Sequence, residues 1–133
     1  MASITTRLSV RSRNLFSNAI GTRHDKSFAV SSNADRRIKV IKEASGSPHT
    51  LIDASDYYSD TALTLFAFVK NVTSTANKYI YVVIGSQVVA RLQPGEYMLF
   101  PWHVTSGSND FKVYSNDATN GVKVEYFAAQ MSS

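Results

Sequence analysis

Residues 79–100 read YIYVVIGSQVVARLQPGEYMLF, and this stretch decides the fold. Across residues 79–84, Tyr79, Tyr81 and Val83 occupy one set of alternating positions and Ile80, Val82 and Ile84 the other. Side chains of a strand point alternately to opposite faces, so a strand that is apolar at both sets packs on both sides. Gly85 and Ser86 then turn the chain into residues 87–92, where Val88, Ala90 and Leu92 alternate with Val89 and Arg91. Pro94 fixes its own φ and Gly95 tolerates a positive one, the signature of a type II turn, which leads into residues 96–100. Two successive hairpins are expected.

The same period of two recurs on either side. In residues 61–71, Leu63, Leu65, Ala67 and Val69 share one face, while Thr64, Phe66, Phe68 and Lys70 share the other. Beyond a polar loop at residues 106–110, Phe111 and Val113 alternate with Lys112 and Tyr114. A second polar connection at residues 116–121 precedes Val122, Val124, Tyr126 and Ala128, which alternate with Lys123, Glu125 and Phe127. Further strands are expected around Ile38 and over residues 50–54, separated by the Gly46 and Pro48 punctuation in EASGSPH at residues 43–49. About eight short strands with apolar residues on both faces call for two packed antiparallel sheets. The expected fold class is all-β, an antiparallel β-sandwich, with a jelly-roll as the preferred connection pattern.

The sandwich is expected to occupy residues 36–133, with residues 1–35 as an extended basic arm. Up to Lys42 the chain carries nine basic residues against Asp25 and Asp35, a net +7; from Glu43 onward five basic residues oppose eight acidic ones, a net −3. A local surplus of this kind suits an acidic partner surface, a phosphate backbone or an anionic lipid head group. Arg7, Arg11 and Arg13 are the residues expected to dock the arm. Phe16 and Phe28 are too sparse for a base-stacking platform, which favours a protein partner over nucleic acid.

At 133 residues and 14.7 kDa the chain fits one domain with a core of its own. The absence of cysteine excludes disulfides, thiolate metal sites and thiol nucleophiles within this chain. No apolar run approaches the roughly 20 residues of a spanning helix, and the first thirty residues carry charges in place of a secretory apolar segment, so no membrane partner and no signal processing are expected. Asn71, Val72 and Thr73 match a glycosylation triplet, a pattern common by chance.

Catalytic chemistry finds little support. His24, His49 and His103 are far apart in sequence and stand in no metal-binding or nucleophile motif. Asp53, Asp56 and Asp60 lack the spacing of a calcium loop and read as solvated loop carboxylates, and Gly85 lacks a phosphate-binding glycine pattern. No catalytic residue, metal or cofactor is expected. Tyr79, Tyr81, Phe100 and Trp102 are candidates for either core packing or an oligomer interface, both of which reward large apolar burial.

Residues 79–127, with their apolar strand, the turn at residues 92–95, GEYMLFPW, FKVYS and the closing VKVEYF, resemble the carboxyl-terminal portion of small structural proteins of tailed bacteriophage particles. The basic arm lies outside the matching stretch. The resemblance implies a β-sandwich decoration or cement module on the capsid, or a tail-associated module, with the major capsid protein or another virion protein as partner. It further implies a virion location after assembly in the host cytoplasm, and a homo-oligomer such as a trimer. A competing expectation is a carbohydrate-binding sandwich in which Tyr57, Tyr58, Tyr97 and Trp102 form a sugar-stacking surface.

Overall fold

The computed structural model describes residues 3–12, 20–29, 36–56, 65–104 and 108–130. Ten strands run through them: β1 (Ser3–Ser12), β2 (Ile20–Ala29), β3 (Arg37–Ile41), β4 (His49–Ile52), β5 (Leu65–Asn71), β6 (Ile80–Ile84), β7 (Gln87–Leu92), β8 (Tyr97–Trp102), β9 (Phe111–Ser115) and β10 (Val122–Gln130). A 3₁₀ turn at Ala54–Asp56 follows β4. The all-β class and the antiparallel sandwich expected from the alternation are what the chain forms.

Eight strands make two four-stranded antiparallel sheets, with orders β3-β10-β5-β8 and β4-β9-β6-β7. The ladders nest: β3 pairs with β10, β4 with β9, β5 with β8, and β6 with β7. The chain therefore runs as one long double strand folded back at β6 and β7. Contacts of β10 with β5 and of β9 with β6 roll that double strand into two layers.

Alternation supplies the core between the layers. Leu65, Ala67 and Val69 of β5, Val122, Val124 and Tyr126 of β10, Ile80 and Val82 of β6, and Phe111 and Val113 of β9 are buried together. Each such valine, leucine, isoleucine or phenylalanine taken fully out of water contributes about 1.5–3 kcal/mol before entropy is subtracted. Leu63 and Thr64 lie outside the described residues. On β7 the expected pattern fails at one point, because Val82 pairs with Ala90 while Val83 pairs with Val88, leaving Val89 as an extra residue. This bulge shifts the strand by one, so Val88 and Val89 are both exposed, at 56% and 47%.

Two connections hold the ends. Gly95 takes φ 85° at the third position of the turn, and the Glu96 N–H donates to the Gln93 carbonyl at 2.9 Å, as a type II turn requires. Asn71, wholly buried, ties three segments together. Its amide donates to the carbonyls of Lys78 (2.8 Å) and Leu92 (3.1 Å), and its oxygen accepts from the Thr73 N–H at 3.1 Å. The glycosylation triplet thus begins at an asparagine whose amide already serves the core.

The amino-terminal segment contains strands that the sequence reading did not place. β1 and β2 pair antiparallel without a break from Ser3↔Ala29 to Ser12↔Ile20, as a two-stranded sheet of their own. The part of the arm that is described is a hairpin.

Candidate protein-docking surfaces

Two kinds of surface offer themselves for contact with other molecules. The first is the hairpin. On its polar face Arg7 and Arg23 flank Asp25, with Nε of Arg7 at 3.2 Å from Oδ1 and an Arg23 guanidinium nitrogen at 2.8 Å from Oδ2. Beside them Thr5 and Ser27 share a hydroxyl hydrogen bond at 2.8 Å across the ladder. Arg11 stands opposite Gly21 in the register of the same hairpin. Of the three arginines expected to dock the arm, Arg7 is therefore exposed and ion-paired, Arg11 has a strand position, and Arg13 lies outside the described residues.

The second is the outside of the sandwich. Among the described residues its large exposed apolar side chains belong to edge strands: Ile38 and Val40 on β3, Val88 and Val89 on β7, and Tyr97 on β8. Arg36, next to β3, pairs with Glu125 of β10 through two contacts at 2.9 and 3.3 Å, and Lys39 sits within the strand. Charges on an edge discourage uncontrolled pairing with other strands. On the outer face of the first sheet Phe68 stacks on Phe127 at 5.1 Å, with Tyr97 tilted at 6.3 Å.

The four aromatic candidates separate into two pairs. Phe100 meets Phe111 edge-on at 5.6 Å and packs against the core, and Trp102 is 2% exposed, its indole N–H donating to the Asn109 carbonyl at 3.2 Å. Tyr81 faces outward and stacks on Tyr114 at 4.6 Å with an 8° angle between rings. Tyr79 carries the Arg91 guanidinium 4.9 Å above its ring and donates its hydroxyl to Asn77 at 3.2 Å. Burial of Trp102 removes it from the sugar-stacking surface expected from sequence; of the other members, Tyr97 is exposed at 63% and Tyr57 and Tyr58 lie outside the described residues. A shallow cleft of about 410 Å³ instead lies beside Tyr81 and Tyr114, completed by Ala44, Ser45, Ser115, Asn116 and Ala118. Tyr114 was not singled out from sequence because a tyrosine in a short alternating strand carries no mark of its exposure.

The titratable groups act locally. His49 Nδ1 lies 3.3 Å from Glu43, and His103 is exposed. Asp53 accepts from the hydroxyl (2.7 Å) and the N–H (2.9 Å) of Ser55, bonds that hold its carboxyl below the usual range. Asp110 accepts from the Ala54 N–H at 2.8 Å, Asp56 is exposed, and Asp60 lies outside the described residues. Asp117 is held below the usual carboxylate range first by Lys78, whose Nζ lies 2.6 Å away, and then by the Asn120 N–H. Among the described residues no three His, Asp or Glu side chains converge as a metal site. No protein-family model matches the chain, and no curated protein matches its sequence.

Proposed function

We propose that this chain is a non-enzymatic structural protein of a virus particle, a capsid cement or decoration component that stabilises the particle through protein–protein contacts. The observation that carries the reading is a division of labour. A well-filled sandwich keeps its chemistry to surfaces, while a basic hairpin outside its core offers arginines to an acidic partner. On this reading the nested strand order is a jelly-roll, an architecture that recurs in capsid and lectin domains; fold alone does not assign a function. The partner is the major capsid protein or a neighbouring virion protein, reached after assembly in the host cytoplasm. The chain acts there as a homo-oligomer, with three copies as the working number. Cationic side chains steer the encounter, and apolar edge residues supply the desolvated contact.

High-resolution imaging of purified particles tests this. Repeated copies against capsid proteins, with the amino-terminal segment at a protein interface, are expected. Repeated density on the tail would replace cement by a tail-associated module, and absence from particles would reject the virion role.

A glycan-binding reading is favoured by one observation, the cleft beside the stacked Tyr81 and Tyr114. Binding on a glycan array that is lost in Tyr81→Ala, with particle association intact, would establish it.

A further inference from the structure

Strand β3 carries its alternation inside out. Directly opposed residues of an antiparallel ladder share a face, and the register sets Arg37 against Tyr126, Lys39 against Val124 and Ile41 against Val122. Tyr126, Val124 and Val122 belong to the core, so Arg37 and Lys39 stand on the inner face of their sheet, where apolar side chains are the rule. Ile38 and Val40 take the outer face, opposite Glu125 and Lys123. Within the strand Ile41 alone is buried, whereas Arg37 to Val40 are exposed, Ile38 at 51% and Val40 at 47%.

The strand is also open along one side. It ends the order β3-β10-β5-β8, and among the described residues no loop backbone bonds to it. Residues 36–42 hold four cations and no acid. Arg36 is taken by Glu125, but Arg37 forms no ion pair with a described residue, and Lys39 lies within electrostatic reach of Glu43 without pairing to it. A strand laid beside β3 would therefore complete its ladder, cover Ile38 and Val40 with apolar residues on one face, and meet Arg37 and Lys39 with acids on the other. A second copy does not supply that strand: its own β3 repeats the cations, and no two of the ten acidic residues of this sequence stand two apart. A phosphate backbone would answer the cations and leave the apolar residues and the open ladder unmet.

We propose that β3 is a docking edge for an extended segment of a different protein, one in which acidic residues alternate with apolar ones. Main-chain hydrogen bonds give such a contact its affinity, and the alternate side chains give it selectivity. The same cations turn away basic strands, so the charges that guard the edge also choose its partner. The proposal rests on the assembly role above and supplies the chemistry of one partner.

Short labelled peptides and the full-length chain test the idea, with binding read by fluorescence anisotropy and by amide hydrogen exchange along β3. A peptide of alternating valine and glutamate should bind and slow exchange in residues 37–41. A peptide of alternating valine and lysine should not, nor should one with the valines and glutamates in separate blocks. Arg37→Glu combined with Lys39→Glu should weaken the acidic peptide at least about tenfold, because two cross-strand pairs of opposite charge become pairs of like charge. The same double variant should gain binding of the lysine peptide, and circular dichroism should show its strands intact, since both positions are exposed. No binding of the alternating acidic peptide, equal binding of the block peptide, or a double variant that keeps its preference would overturn the proposal. Inorganic polyphosphate bound more tightly than the acidic peptide would overturn it too, by making the edge a phosphate site. All of these are read on the purified chain and leave the particle role to be judged by imaging.

Discussion

The hairpin and the sandwich are both built from antiparallel ladders, yet among the described residues the buried apolar core lies in the sandwich. In the sandwich, Ile80, Val82, Phe111 and Val113 of one sheet meet Leu65, Val69, Val122 and Val124 of the other in a common core. In the hairpin the ladder is unbroken over ten residue pairs, but Leu8 stands half exposed and the polar face is finished with ion pairs between exposed groups. Exposed ion pairs contribute about 0–1 kcal/mol each, less than one buried valine. Regular pairing sets the geometry of both regions; burial is what separates them energetically.

The sharpest way to break that contrast is to cut into the core. Phe111→Ala should cost about 3–5 kcal/mol, seen as a lower urea midpoint, and Leu8→Ala should leave the midpoint of the dilute monomer within about 0.5 kcal/mol. Equal effects would mean that the hairpin belongs to the same cooperative unit. Asn71→Leu comes next. It strips partners from the Lys78 and Leu92 carbonyls and the Thr73 N–H, at a total of about 3 kcal/mol or more in the same assay.

Gly121 offers a subtler probe. It holds φ 77°, and a Cβ added there would lie 2.5 Å from a Val40 methyl and 3.0 Å from the Ile41 carbonyl. Gly121→Ala should therefore cost about 2–4 kcal/mol, whereas Gly95→Ala, with a similar φ but open space around it, should cost about 1–2 kcal/mol. Comparable losses at the two sites would show that backbone conformation, and not crowding against β3, dominates.

Acid provides the smallest effect. The carboxyl of Asp117 has a folded value below the unfolded one of about 3.9. Its stabilising contribution is complete above about pH 4 and is lost as pH falls through the folded value. Urea midpoints measured from about pH 6 down to 2 should fall less steeply below pH 4 in Asp117→Asn than in the intact protein. The hairpin has no comparably buried carboxylate among its described residues, so its variants should leave the profile unchanged.

What the sequence made legible follows from the same contrast. Strands β5, β6, β9 and β10 declared themselves because burial on a shared face forces a strict period of two, and the Pro94–Gly95 turn because its backbone angles admit few residues. The bulge on β7 was invisible, since alternation continues through Val88, Val89 and Ala90 whichever of them is unpaired. Strand β2 was invisible for another reason: its sequence has no apolar alternation of its own, and it pairs only through the register with β1. Among candidate site residues, Trp102 and Tyr81 look alike as aromatics in apolar strands. Only the pairing of sheets sends one into the core and the other to the surface.

The nested ladders also impose an order on synthesis. Strand β10 is the shared neighbour of β3 and β5, and it follows every other sandwich strand in the chain. As the polypeptide emerges, β1 and β2 can pair at once, because their ladder closes over a few residues. Strands β6 and β7 can follow. Strand β3 must wait with a bare edge until residues 122–126 have left the ribosome, some eighty positions later. During that interval the nascent chain presents the unpaired backbone of β3, with the β-branched side chains of Ile38, Val40 and Ile41, to its surroundings, the stage at which a holding chaperone would matter most.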